Sequence, residues 1–161
     1  MQNLINSTST LENNWEVISD YEAALPAGNI LIDIEFWLAH KSELQNRTDI
    51  GVILKGDSDL VTIKDDLARF PVIAVNFPAF ADGRGYSLAR LLKERYSFEG
   101  EIRAIGDVLI DQLYFMKRCG FDTYLLKDGL DANKALNYFA TFSDPYQLAY
   151  DLPTPLFRRK A

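Results

Sequence analysis

One cysteine, Cys119, and one histidine, His40, are all the thiol and imidazole chemistry this chain of 161 residues carries. A lone cysteine excludes an internal disulfide framework and any iron–sulfur or thiolate-zinc site built from this chain alone. A lone histidine leaves a Ser-His-Asp triad one candidate base. His40 falls in a predicted helix over Ile34–Leu44, away from every predicted strand end, so a triad is not expected. Basic charge is also scarce. With 17 Lys and Arg against 23 Asp and Glu the formal charge is −6, and phosphate affinity needs the opposite balance, so nucleic acid is not an expected partner. No apolar run approaches the roughly 18 residues that cross a bilayer. The opening residues lack the basic start and apolar core of a signal peptide. A cytoplasmic protein with no membrane partner is therefore expected.

What is present describes a globular chain: 48% hydrophobic, 12% aromatic and 25% charged residues, at a length usual for one domain. Residues 1–14 are rich in Asn, Ser and Thr without an apolar period and read as a mobile tail, leaving 15–161 as a single α/β domain. Short strands are predicted at Trp15–Ile18 and Gly28–Ile32. A helix over Ile34–Leu44 follows, with Asp33 as N-cap and Ile34, Trp37 and Leu38 on its packed face.

From Ile50 the pattern becomes regular. Strands are predicted at Ile50–Leu54, Val72–Phe77, Glu101–Ile105 and Phe121–Leu126. Between them lie a short helix near Val61–Phe70, a helix over Tyr86–Tyr96 with Leu88, Leu91, Leu92 and Tyr96 buried, and a helix opened by Gly106-Asp107 and stopped by Gly120. A last helix covers Asn133 to about Phe142. Four consecutive strand–helix units imply parallel strands, in an open doubly wound sheet or in half of a (β/α)8 barrel. No G-x-G-x-x-G follows the first strand, and Lys55, Asp82, Asp107 and Lys127 stand just past strand ends like barrel-rim residues, which favours the half-barrel. The Pro-rich end, with Pro145, Pro153 and Pro155, is expected to wrap the surface and cover a sheet edge. Surplus aromatics such as Tyr114, Phe115 and Tyr138 suggest a homodimer.

Candidate binding residues cluster in two stretches. In the first, Asp82, Gly83, Arg84 and Gly85 form a loop into a helix. Its backbone N–H groups, helix start and guanidinium suit a small anion, while turn geometry alone explains the same residues. In the second, Arg103 inside a strand needs a partner such as Asp107 or Asp82, Asp107 doubles as a helix N-cap, and Gln112 is polar among apolar neighbours. Cys119, in a helix's last turn, reads as a buried filler. No flavin signature, metal-ligand set or dinucleotide fingerprint is visible, so no cofactor and no metal is expected, and no catalytic residue is identified.

The residues Phe77-Pro78, Asp82-Gly83-Arg84-Gly85-Tyr86-Ser87, Gly100-Glu101-Ile102-Arg103-Ala104, Gly106-Asp107-Val108 with Asp111-Gln112, Arg118-Cys119-Gly120-Phe121 and Tyr146-Gln147 together closely resemble a bacterial family of unknown mechanism. The genes of that family lie beside assimilatory sulfite reductase, and its members are named probable oxidoreductases of sulfite reduction. The resemblance implies a role in sulfur assimilation with sulfite reductase as partner, and carries over no catalytic residue. An accessory or electron-delivery role fits the missing redox motifs. A small-anion-binding enzyme using the rim of a partial barrel is the alternative.

Overall fold

The computed structural model describes residues 3–79 and 83–141. It is a mixed α/β fold whose single sheet of eight strands curls into a half-barrel. The strands are β1 (Asn3–Ile5), β2 (Thr10–Leu11), β3 (Glu16–Val17), β4 (Ile30–Asp33), β5 (Ile50–Leu54), β6 (Val72–Phe77), β7 (Glu101–Gly106) and β8 (Thr123–Leu126). Among the described residues the helices are α1 (Ile34–Leu44), α2 (Arg84–Glu94), α3 (Leu113–Cys119) and α4 (Ala132–Thr141). None is long and apolar enough to cross a membrane.

Strands β3 to β8 lie side by side in chain order and all run parallel, while β1 joins the far side of β8 antiparallel and carries β2 outside it. Unbroken chain order is the arrangement of a barrel wall rather than of a doubly wound sheet, where the order reverses. The connection from β2 to β3 shows why the sheet must curl. Laid flat, the seven spacings between these outermost strands would span roughly 34 Å. The five residue steps from Leu11 to Glu16 reach at most about 18 Å. Only a chord across the concave side is short enough, and Trp15 packs there against Leu31, Ile53, Val72, Ala74 and Ile105.

The alternation of each strand divides the molecule into two layers. Ile30, Ile32, Val52, Leu54, Ile73, Val75, Ile102, Ala104 and Tyr124 face outward into one large core. They meet Trp37 of α1, Leu88 and Leu92 of α2, Met116 of α3 and Phe139 of α4. Being buried on both faces is what gives β5 its continuous apolar run and β6 the run Val72–Val75.

Several expectations are corrected. The opening residues are not a mobile tail: Leu4 and Ile5 are buried, and β1 pairs with β8, hiding an edge that would otherwise expose its N–H and C=O groups. The Pro-rich end, expected to cover a sheet edge, lies outside the described residues. Leu38 and Leu91, placed on packed faces, are 41% and 40% exposed, because helices lying singly on a convex sheet bury only a narrow stripe. The helix expected from Asp107 begins at Leu113, after a 3-10 turn at Ile110–Gln112. The helix near Val61–Phe70 is two 3-10 turns, Leu60–Ile63 and Leu67–Arg69. Asp33 takes the N-cap position of α1 without a side-chain capping bond. Gly120 ends α3 in the left-handed conformation at φ 114°, as its placement predicts, and Cys119 is buried.

Candidate functional site

Because β4 to β8 are parallel, their C-terminal ends open on one rim, the edge where α/β folds hold ligands. β4 and β5 bring Glu35 and Lys55 there, 3.8 Å apart and both more than half-exposed on their side chains or at that limit, a pairing of little energetic weight. Arg84, the first residue of α2, lies over Gly56: a Cβ built on that glycine would meet Arg84 Nε at 2.8 Å. β7 turns out of the sheet at Gly106, φ +92°, and the Asp107 amide donates to the Phe77 carbonyl at 2.7 Å. Lys127, just past β8, reaches back so that its Nζ donates to Asp107 Oδ1 at 2.8 Å.

These ends border an open cleft of about 570 Å³ lined by Asn76, Phe77, Pro78, Ala79, Gly106, Asp107 and Lys127. A second hollow of about 400 Å³ shares Gly106 and Lys127 and continues along β8 through Leu125, Leu126 and Asp128. A narrower one of about 320 Å³, floored by Leu67, Phe70 and Phe98, lies at the opposite edge of the sheet, where such folds do not place their chemistry. Asp107 is the less exposed partner of its ion pair, at 18% against 57% for Lys127, so the carboxylate is held while the ammonium stands toward solvent.

Of the residues singled out in the sequence, Arg84 and Asp107 come to this rim. Asp82 lies outside the described residues. Gly83 is the N-cap of α2 and has no side chain with which to cap it. Gly85 serves packing: a Cβ there would meet the Phe77 ring at 2.7 Å, so its role is close approach of α2 to β6. Arg103 is not at the rim. It is 3% exposed on the concave face, where Nε donates to Glu101 Oε1 at 2.8 Å and Nη1 to Asn13 Oδ1 at 2.9 Å. Among the described residues its carboxylate partner is Glu101 and not the expected Asp107, because residues i and i+2 of a strand share a face; the other expected partner, Asp82, lies outside the described residues. Thr123 donates to the same Glu101 oxygen. This network fastens the crossing segment to β7. Asp107 spends its carboxylate on Lys127 and caps no helix, while Gln112 stands half-buried at the start of α3. Asn76 was missed. Its signal was a single polar residue near the end of an otherwise apolar strand, and its Oδ1 now lies against Gly106.

Tyr86, on the first turn of α2, sits between Phe77 and Phe115. Burial, reinforced by Cys119 and Asp111, pushes its phenol above the ordinary 10.0. The folded state therefore holds this proton where the unfolded chain releases it. The stability it contributes is present below pH 10 and is lost as pH climbs through the unfolded and then the folded value. Burial raises the Tyr21 phenol as well, so absorbance at 295 nm followed from pH 8 to 12 is expected to show a late-titrating component that Tyr86→Phe reduces without abolishing.

Among the described residues no group of three or more His, Cys, Asp and Glu is placed to hold a metal ion. The rim's chemistry is an oriented carboxylate–ammonium pair, a carboxamide, and the start of a helix beside an arginine. The model of one family, Bacterial protein of unknown function (DUF934), matches residues 51–157, a span that includes every described strand end of this rim from β5 onward. No curated protein and no solved structure matches the chain.

Proposed function

The chain belongs to this bacterial family of unknown function, and from that premise we propose that it is an accessory protein of assimilatory sulfite reduction, docking on sulfite reductase through the C-terminal rim of its half-barrel. The observation that carries a docking role is the form of the rim. Sites for small substrates enclose most of their ligand, whereas the cleft between β6, β7 and β8 is open, and its Asp107–Lys127 pair already neutralises itself. Such a surface suits a protein partner, which supplies its own walls and reads oriented charges for register. Sulfite reductase is named by the likeness of Phe77-Pro78, Gly100-Glu101-Ile102-Arg103 and Arg118-Cys119-Gly120-Phe121 to the family encoded beside that enzyme.

The test is direct binding of the purified chain to sulfite reductase of the same organism, by calorimetry, with turnover measured in parallel. Lys127→Glu and Arg84→Ala are expected to weaken binding by roughly tenfold or more while moving the melting temperature by under about 2 °C, since both residues are exposed. No binding and no change in turnover with the unmodified chain would reject the reading.

A further inference from the structure

The hollow of about 320 Å³ lies at the starts of β6 and β7, between the turn that leads into β6 and the segment that leads from α2 into β7, and it is more enclosed than either hollow at the rim. Its floor is apolar and firmly held. Leu67, Phe70 and Phe98 belong to the core, and Phe70 meets Trp37 edge-on at 5.1 Å. The Phe98 amide donates to the Leu92 carbonyl at 2.8 Å, and the Phe98 ring lies against Gly100, where a Cβ would come within 2.5 Å of it. Ser97, at φ 51°, fixes the turn between them and α2. Such a cavity is formed before any ligand arrives, which lowers the cost of binding.

Two charges stand on this hollow, Lys64 from the first segment and Glu99 from the second. Both are exposed, and among the described residues neither takes part in an ion pair or a hydrogen bond. A single solvated charge is ordinary. Opposite charges that share an apolar-floored hollow without meeting each other leave room for a ligand that carries both. We propose that the hollow binds a free α-amino acid with an apolar side chain. The side chain rests on Leu67, Phe70 and Phe98, the carboxylate accepts from the Lys64 ammonium, and the amino group donates to the Glu99 carboxylate. The volume is at the small end of ligand pockets, roughly 300–1,000 Å³, which suits one amino acid better than a nucleotide-sized molecule. Because the site faces away from the strand ends that form the rim, it is a binding site rather than a second centre of chemistry.

The experiment follows the backbone amide resonances of the full chain by nitrogen–proton NMR while L-phenylalanine, L-leucine, 3-phenylpropionate, phenethylamine or glycine is added at matched ionic strength. Saturable shifts at residues 64–70 and 96–100 are expected with L-phenylalanine or L-leucine, at an affinity at least roughly fivefold tighter than for 3-phenylpropionate, phenethylamine or glycine, each of which lacks one of the three contacts. Lys64→Met and Glu99→Gln, at exposed positions, are each expected to leave the melting temperature unchanged and to weaken binding roughly fivefold. No saturable shift with either amino acid, or shifts confined to other parts of the chain, would overturn the proposal. So would equal affinity for 3-phenylpropionate, phenethylamine or glycine, or full affinity in both variants.

Discussion

Replacing Trp37 by alanine is expected to lower the unfolding free energy by about 3–5 kcal/mol, read as a fall of roughly 6–20 °C in melting temperature. Trp37 is 1% exposed and is among the largest fully buried side chains of the core. Its ring meets Phe70 edge-on at 5.1 Å, joining α1 to the turn that precedes β6, and its Nε1 donates to Asp66 Oδ2 at 3.3 Å. The indole therefore contributes twice, through apolar volume and through one donor to a buried carboxylate. Trp37→Phe separates these contributions. It keeps most of the volume and leaves Asp66 with Lys41 at 2.8 Å, so the expected loss is about 1–2 kcal/mol. Urea denaturation of both variants checks the ranking. Equal losses would mean that the hydrogen bond carries the site, and a loss under about 1 kcal/mol for alanine would mean that α1 is not part of the cooperative core.

The same side chain shows what is legible in such a sequence. Trp37 sits three residues after Ile34, and its burial follows from helical spacing. Leu38 has equally good spacing and lies in solvent, because period alone does not say how wide a stripe the neighbouring layer covers. β5 and β6 are readable since both their faces are buried, which writes Ile50–Leu54 and Val72–Val75 as unbroken apolar runs. β1 is three residues with no period to detect. Its strand character comes from β8, far along the chain, where Leu4 stands opposite Leu125. No local pattern encodes that pairing.

At the rim the division is similar. Arg84 and Asp107 are conspicuous because charge beside glycine past an apolar run is a visible signal. Their partners are not visible in the same way, since Asp107 meets Lys127 only when β7 and β8 lie adjacent and in parallel. The true partner of Arg103 was nevertheless within reach. Glu101 is two residues away on the same strand face, and that local rule outranks Asp107, which lies beyond the strand's end.

Gly106→Ala is expected to destabilise the fold by about 2–4 kcal/mol and to disorganise the rim beyond what that loss implies. Two costs coincide at this position. The backbone holds φ +92°, a conformation that a residue with a side chain rarely adopts. A Cβ would also come 2.5 Å from the Phe77 carbonyl oxygen and press on Asn76 Oδ1. Neither obstacle yields easily. The carbonyl accepts the Asp107 amide and belongs to the β6–β7 ladder, in which Phe77 stands opposite Gly106. Relief requires β7 to leave β6 at its last pair, which moves Asp107 and breaks its 2.8 Å contact with Lys127. Gly129→Ala is the control. It also has positive φ, at +89°, but nothing lies within 4 Å of its Cβ, so only the conformational cost applies, about 1–2 kcal/mol. Thermal unfolding compares the two, and amide exchange at Asp107 and Val108 reports the ladder's end. Gly106→Ala is expected to speed that exchange by more than tenfold, whereas Gly129→Ala leaves it unchanged. Equal melting temperatures with unaltered exchange at Asp107 would show that the turn at Gly106 tolerates a side chain and that the rim does not depend on it.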